Sequence, residues 1–217
     1  MSYPNYSRSE RIADGVIHVL GISAAIYGVI LLFQLFEDQL QGARFLAVSV
    51  YAAALLTMLT ASATYHIAAH TKARPILRRL DHAAIYLKIA GTITPLAVFL
   101  GTAFGYLVLA SVWGLALVGA ATKLMAKRGR MTTGWVPYAG LGWIGLALFV
   151  PLIGVLPVFS LVMIAAGGLL YTAGVIFYCW EGLRYANAIW HGFIVVASTC
   201  LYISISNALS SAAYAMP

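Results

Sequence analysis

The chain has 217 residues, 62% of them hydrophobic and 9% charged, with a formal net charge of +7 and a mean hydropathy of +0.91. An ordinary soluble domain carries about a quarter charged residues, so this composition excludes one. The positive excess has an origin in membrane topology and contact with anionic head groups, and it calls for no nucleic acid partner.

Seven apolar stretches follow one another, each near the ~20 residues that cross a hydrocarbon core of ~30 Å. Helices are the expected spanning form, because lipid offers no partner for an open backbone group. The first covers residues 15–36 and the second 43–69. A charged bend, HTKARPILRRLD, leads to the third at 83–103. The fourth, 105–125, follows with almost no polar spacer, and the basic segment KLMAKRGR precedes the fifth at 135–152. Pro151 and Pro157 bracket the break before the sixth, 158–180, and favour two helices over one kinked one. The seventh is 189–209. The expected fold is an all-α membrane protein, a seven-transmembrane-helix bundle forming one domain over 1–217.

Charge placement sets the orientation. Arg8 and Arg11 precede the first span. Lys72, Arg74, Arg78 and Arg79 lie between spans two and three, Lys123, Lys127, Arg128 and Arg130 between four and five, and Arg184 between six and seven. The opposite loops carry Arg44 with Glu37 and Asp38 and no other charge. The positive-inside rule therefore places the N-terminus in the cytoplasm and the C-terminus outside. The first stretch lacks a cleavage signature and reads as a retained helix. Cys179 and Cys200 both fall in apolar spans, where they read as small buried hydrophobes rather than a disulfide. Frequent glycines within spans read as sites of close helix packing.

Ionisable groups inside a membrane span need a job or a partner. This chain offers Asp14, His18, Ser62, His66, Asp81, Lys88, Asn187 and His191, all near the cytoplasmic ends of spans one, two, three and seven. They can converge on one polar pocket at that face. Asp14 and His18 are four apart, as are Ser62 and His66, and Asn187 and His191, so each pair shares a helix face. Imidazoles from spans two and seven with a carboxylate from span three suit Zn²⁺ with an open position for water. Asp81 can hold that water or take its proton, and Ser62 can hydrogen-bond a developing oxyanion. The plainer readings are a cap or an Arg11 or His18 partner for Asp14, an N-cap of span three for Asp81, and head-group contacts or a buried carbonyl partner for His70 and His82.

ERIADGVIHVLG in and before span one, SATYH at Ser62 to His66, RRLDHAAIYLKIAGTITP at Arg78 to Pro95, GGLLYTAGVIFY at Gly167 to Tyr178 and NAIWHGFIVVAS at Asn187 to Ser198 together resemble the haemolysin III family. That family lies within the progestin and adiponectin receptor superfamily. The resemblance implies seven helices, a cytoplasmic N-terminus and an intramembrane zinc hydrolase site. It implies zinc ligands at His66 and His191, with Asp81 holding the zinc-bound water and Ser62 beside it. The family's other span-seven ligand falls on Asn187, where the usual motif has histidine, and a further histidine of many bacterial relatives falls on Leu201. An amide oxygen is a poor zinc ligand. Three arrangements stay open: Asn187 ligating weakly or through water, Asp81 ligating directly, or a site that holds zinc poorly. Cys200, ~13 Å along the helix from His191, is a remote substitute.

The first functional expectation is a zinc-dependent hydrolase of a membrane lipid amide or ester, ceramidase-like, resident in the bacterial inner membrane. The alternatives are a non-enzymatic membrane sensor or receptor, a haemolysin-type cytolytic protein, or an ion transporter with Lys88 and Asp81 as relays. No span carries the polar stripe of a wide pore. Membrane lipid is the expected surroundings and substrate, and the sequence leaves the oligomeric state open.

Overall fold

In the computed structural model, residues 6–68, 70–126, 134–180 and 182–214 are described, and among them the chain is helical with no named strand. The helices are α1 (Arg8–Leu35), α2 (Gly42–Ile67), α3 (Arg74–Leu100), α4 (Ala103–Leu124), α5 (Val136–Gly145), α6 (Phe149–Leu152), α7 (Val158–Cys179) and α8 (Ala186–Tyr214), with a 3₁₀ turn at Leu146–Leu148. Six are long and apolar enough to cross a membrane, and Val136–Leu152 is a shorter apolar segment. Lys127, Arg128 and Arg130 of the basic segment lie outside the described residues.

Two helices start earlier than hydropathy indicates. At α1, Ser7 and Glu10 form a capping box: the Glu10 N–H donates to Ser7 Oγ at 3.3 Å and the Ser7 N–H to Glu10 Oε2 at 2.8 Å. Asp14 and His18 thus sit beyond the first turn. At α3, Pro75 in the first turn starts the helix at Arg74, because its fixed φ suits a position whose N–H is unused. Asp81 is therefore a helix-interior residue, which removes the plainer reading of it as an N-cap. The expected fifth span is broken instead of continuous. Pro151 has no N–H to offer the carbonyl of Ala147, and the helix loosens into the 3₁₀ turn just there. Gly101 closes α3 at φ 64°, and Thr102 caps α4 by accepting the Gly105 N–H at 3.1 Å, which makes the short turn between them.

Side-chain pairs show the direction of each pass. His18 meets Ser62, so α2 returns alongside α1. Thr94 accepts from Trp113 Nε1 at 3.1 Å, so α4 runs against α3. Tyr138 lies on Tyr86, and a Cβ on Gly145 would strike Ile93, so α5 runs with α3. Ser160 donates to the Ser204 carbonyl at 3.0 Å, while Trp190 lies near Tyr178, so α8 returns along α7. The chain thus passes along the bundle seven times, and one end collects the start of α1, the end of α2 and the starts of α3 and α8.

The interior is built on α3, which packs on α2 and α4, while α1 closes against α2 and α8. Large apolar side chains face outward all round, among them Ile12, Leu20, Tyr27, Leu169 and Val158. Such a coat suits lipid and not water. Cys179 ends α7 exposed, contrary to the buried position expected, and Cys200 is half-buried; neither is in a disulfide. α2 and α3 approach closely at Gly91, where a Cβ would lie 2.5 Å from Ala54 Cβ and 3.3 Å from the Val50 carbonyl. Gly91→Val should destabilise the bundle by about 1–3 kcal/mol through overpacking. Thermal unfolding in detergent reads this as a lowered Tm, with Gly114→Val, which meets open space, as the near-neutral control.

Candidate metal centre

Four helices bring their polar residues to one end of the bundle. Asp14 and His18 come from α1, Ser62 and His66 from α2, Asp81 from α3, and Asn187 and His191 from α8. Asp14, His18, Ser62, Asp81 and His191 are all buried, His18 to 3% exposure. The rings of His18 and His191 have centroids 4.3 Å apart, those of His66 and His191 4.7 Å, and those of His18 and His66 5.4 Å. His66 and His191, expected to face one pocket, are thus brought side by side, and a third imidazole, that of His18, joins them.

Asp14 organises the group. Its Oδ1 accepts a 2.6 Å hydrogen bond from His191 Nδ1, and its Oδ2 lies 3.5 Å from His66 Nδ1. Its backbone carbonyl accepts from His18 Nδ1 at 2.8 Å, the i,i+4 spacing along α1. These contacts put the ring proton of both His18 and His191 on Nδ1. The Nε2 lone pairs then face the same hydroxyl: Ser62 Oγ is 3.2 Å from His18 Nε2 and 3.4 Å from His191 Nε2. A serine has one proton to give, so it cannot satisfy both lone pairs. Two convergent imidazole lone pairs sharing one hydroxyl, each imidazole oriented by a carboxylate or carbonyl, suit a cation. One ligand atom each from Asp14, His18 and His191 lies within 4.8 Å of the others, so these residues can hold a metal ion.

The other candidates surround this core. Asp81 lies beside the Ser62 hydroxyl, within electrostatic range of His191, Asp14 and Arg78. Asn187 reaches His66 Nδ1 with its amide nitrogen at 3.2 Å. Lys88 is not part of the group; it lies deeper on α3 and donates to the Tyr171 hydroxyl. His70 is exposed and accepts from Arg11 Nη1 at 2.7 Å. His82 is buried, neither at the head groups nor on a backbone carbonyl, and is paired with the Tyr138 hydroxyl at 3.0 Å through Nδ1.

The centre opens outward. A cavity of about 300 Å³ is lined by Tyr6, Arg8, Arg11, Asp14, His66 and Asn187, among others. Burial, and after it the charge of Asp14, push the Tyr6 phenol above its usual range. Glu10 steadies this mouth, because its Oε1 accepts the Tyr185 N–H at 3.1 Å just ahead of α8. Tyr185 is held at φ 64°, a conformation that only a well-tied non-glycine residue keeps.

A family model described as haemolysin-III related matches residues 6–202. The chain belongs to the haemolysin III-related family. It is 32% identical over 197 residues to "Hemolysin-3" of Bacillus cereus, covering 90% of each chain. It is 29% identical over 202 residues to "Hemolysin-3 homolog" of Bacillus subtilis (strain 168), covering 92% of this chain and 94% of that one. The match spans every residue of the centre.

Asp14 and His18 were read from the sequence as members of a possible pocket, but the resemblance assigned them no role. The legible signal was their spacing: two ionisable residues four apart in an apolar helix share one face. The geometry places candidate ligands on α1 as well as on α8. His18→Ala should lower the metal content of protein purified without added metal about tenfold or more, as should His191→Ala. Elemental analysis reads both, and His70→Ala, at an exposed histidine, should leave the content unchanged.

Proposed function

We propose that this haemolysin III-related protein is a zinc-dependent hydrolase of a lipid amide or ester, working at the cytoplasmic face of the bacterial inner membrane. The observation that carries it is the meeting of three imidazoles from α1, α2 and α8, two with Nε2 turned to one serine. His18, His66 and His191 would hold the metal, with His18 supplying from α1 the imidazole that Asn187 does not supply from α8. Asp14 is then the orienting carboxylate that fixes the tautomer of His191. Zinc, when bound, supplies Lewis acidity toward a carbonyl and toward water.

The chain's own groups complete the chemistry. The mouth beside Arg8, Arg11 and Asn187 admits water to a centre otherwise walled by apolar helices. Asp81 takes a proton from the water that attacks the acyl carbonyl. The oxyanion so formed accepts a hydrogen bond from Ser62, which already stands between His18 and His191. Collapse breaks the bond to nitrogen or oxygen, and Asp81 returns its proton to the departing amine or alcohol. The products are the amine or alcohol and a carboxylic acid, which gives up its proton to the amine or to water, and the acyl chain lies against the helices.

A second reading, a cytolytic protein, is favoured by the names of both relatives, each called a hemolysin or its homolog. Fatty-acid release from ceramide-like and ester lipids by detergent-purified protein separates the two. Asp81→Asn should lower turnover by about 10²-fold or more while Tm and zinc content hold. Asn187→His should raise zinc retention by adding an imidazole beside His66. Absence of turnover over a broad lipid panel, together with dye release from vesicles by wild type and Asp81→Asn alike, would select the cytolytic reading.

A further inference from the structure

Deeper in the bundle lies a second polar group that the metal centre does not use. Lys88 is seven residues beyond Asp81 on α3, about 10 Å further in. It is 5% exposed, and among the described residues the ion pairs all fall on Asp14, so no carboxylate faces it. Its ammonium donates to the Tyr171 hydroxyl and lies 4.0 Å from the centre of that ring. Tyr171 Oη in turn is 2.6 Å from Ser198 Oγ on α8. An ammonium carries three protons, and one hydroxyl oxygen cannot take them all.

A second observation points to the same place. Tyr51 on α2 is 1% exposed, and its hydroxyl has no hydrogen-bond partner. Its Cα lies 3.8 Å from where a Cβ on Gly91 would stand, and Gly91 is one turn beyond Lys88. Its phenol is within electrostatic range of Tyr171. The α3 and α7 backbones scarcely approach each other, so the long side chains of Lys88 and Tyr171 bridge the space between them. Buried donors left over in this way are normally completed by a bound acceptor.

We propose that Lys88, Tyr171, Ser198 and Tyr51 form an interior binding site for a compact monoanion, a carboxylate or a halide. The group is one ammonium and three hydroxyls, all able to donate, with no carboxylate or imidazole to attract a cation. One cation balances one negative charge, whereas a dianion would leave an uncompensated charge in a low-dielectric interior. The site is separate from the histidine centre and does not depend on the hydrolase reading.

The test is thermal unfolding of the full chain in detergent, in a sulfate-based buffer, with chloride, formate or dodecanoate added. An anion that binds the folded state raises Tm saturably. Wild type should show that rise. Lys88→Met and Lys88→Gln should weaken the apparent affinity about tenfold or more, and Tyr51→Phe about fivefold, through loss of a charged and a neutral donor. His191→Ala should keep the shift. A response to chloride and formate identifies a free anion, and a response to dodecanoate alone identifies the carboxylate of an amphiphile; either supports the site. Should both Lys88 variants fail to fold, Tyr51→Phe, which removes only an unpartnered hydroxyl, decides: an unweakened shift there overturns the site. No shift with any of the three anions overturns it, and so does a shift equal in Lys88→Met, or one lost in His191→Ala.

Discussion

A carboxylate inside a membrane helix persists only with partners, and the partners of Asp14 determine how this end of the bundle is assembled. Its Oδ1 takes the Nδ1 proton of His191 at 2.6 Å, which joins α1 to α8. Its backbone carbonyl takes that of His18, and its second oxygen faces His66, which draws in α2. One residue thereby fixes two tautomers and holds three helices in register. The convergence of the Nε2 edges on Ser62 follows from those hydrogen bonds.

The scaffold around Asp14 is built from simpler rules. Ser7 and Glu10 start α1 nearly two turns before Asp14, and Glu10 also receives the Tyr185 N–H, so the starts of α1 and α8 are tied together. Arg11 donates to His70 and ties α1 to the connection before α3. Small residues let α2 and α3 approach until Gly91 meets Ala54, which brings Asp81 beside Ser62. Along α3, Asp81 at the histidine group and Lys88 then occupy successive levels. The outer level collects lone pairs and carboxylates and suits a cation; the inner one collects donors.

Much of the fold was legible along the chain. The apolar stretches and the two prolines bracketing the fifth break are local features, and each has its structural counterpart. The boundaries were less legible. Pro75 starts α3 among charged residues that hydropathy reads as a bend, and Pro151 loosens the fifth segment from within. Of the site, Ser62, His66, Asp81, Asn187 and His191 were singled out by their motifs, and all meet at one end of the bundle. The roles of Asp14 and His18 were harder to see. A carboxylate one turn before a histidine serves equally as a local partner, and only the position of α8 turns it toward His191.

The sequence by itself determined that the chain lives in lipid, that it is helical, and which few polar residues must find partners there. Those conclusions rest on transfer free energy and backbone hydrogen bonding, which depend on composition and local order. The tertiary structure alone decided which partners they find. His18 and His191 are far apart in sequence, and no spacing along one helix reveals that their Nε2 lone pairs share a single hydroxyl. Nor does spacing show that Lys88 leaves the centre for Tyr171 while Tyr51 remains without a partner. The physical reason is that helix packing sets side-chain contacts between segments, and it is decided by the close fit of small residues such as Gly91 against Ala54.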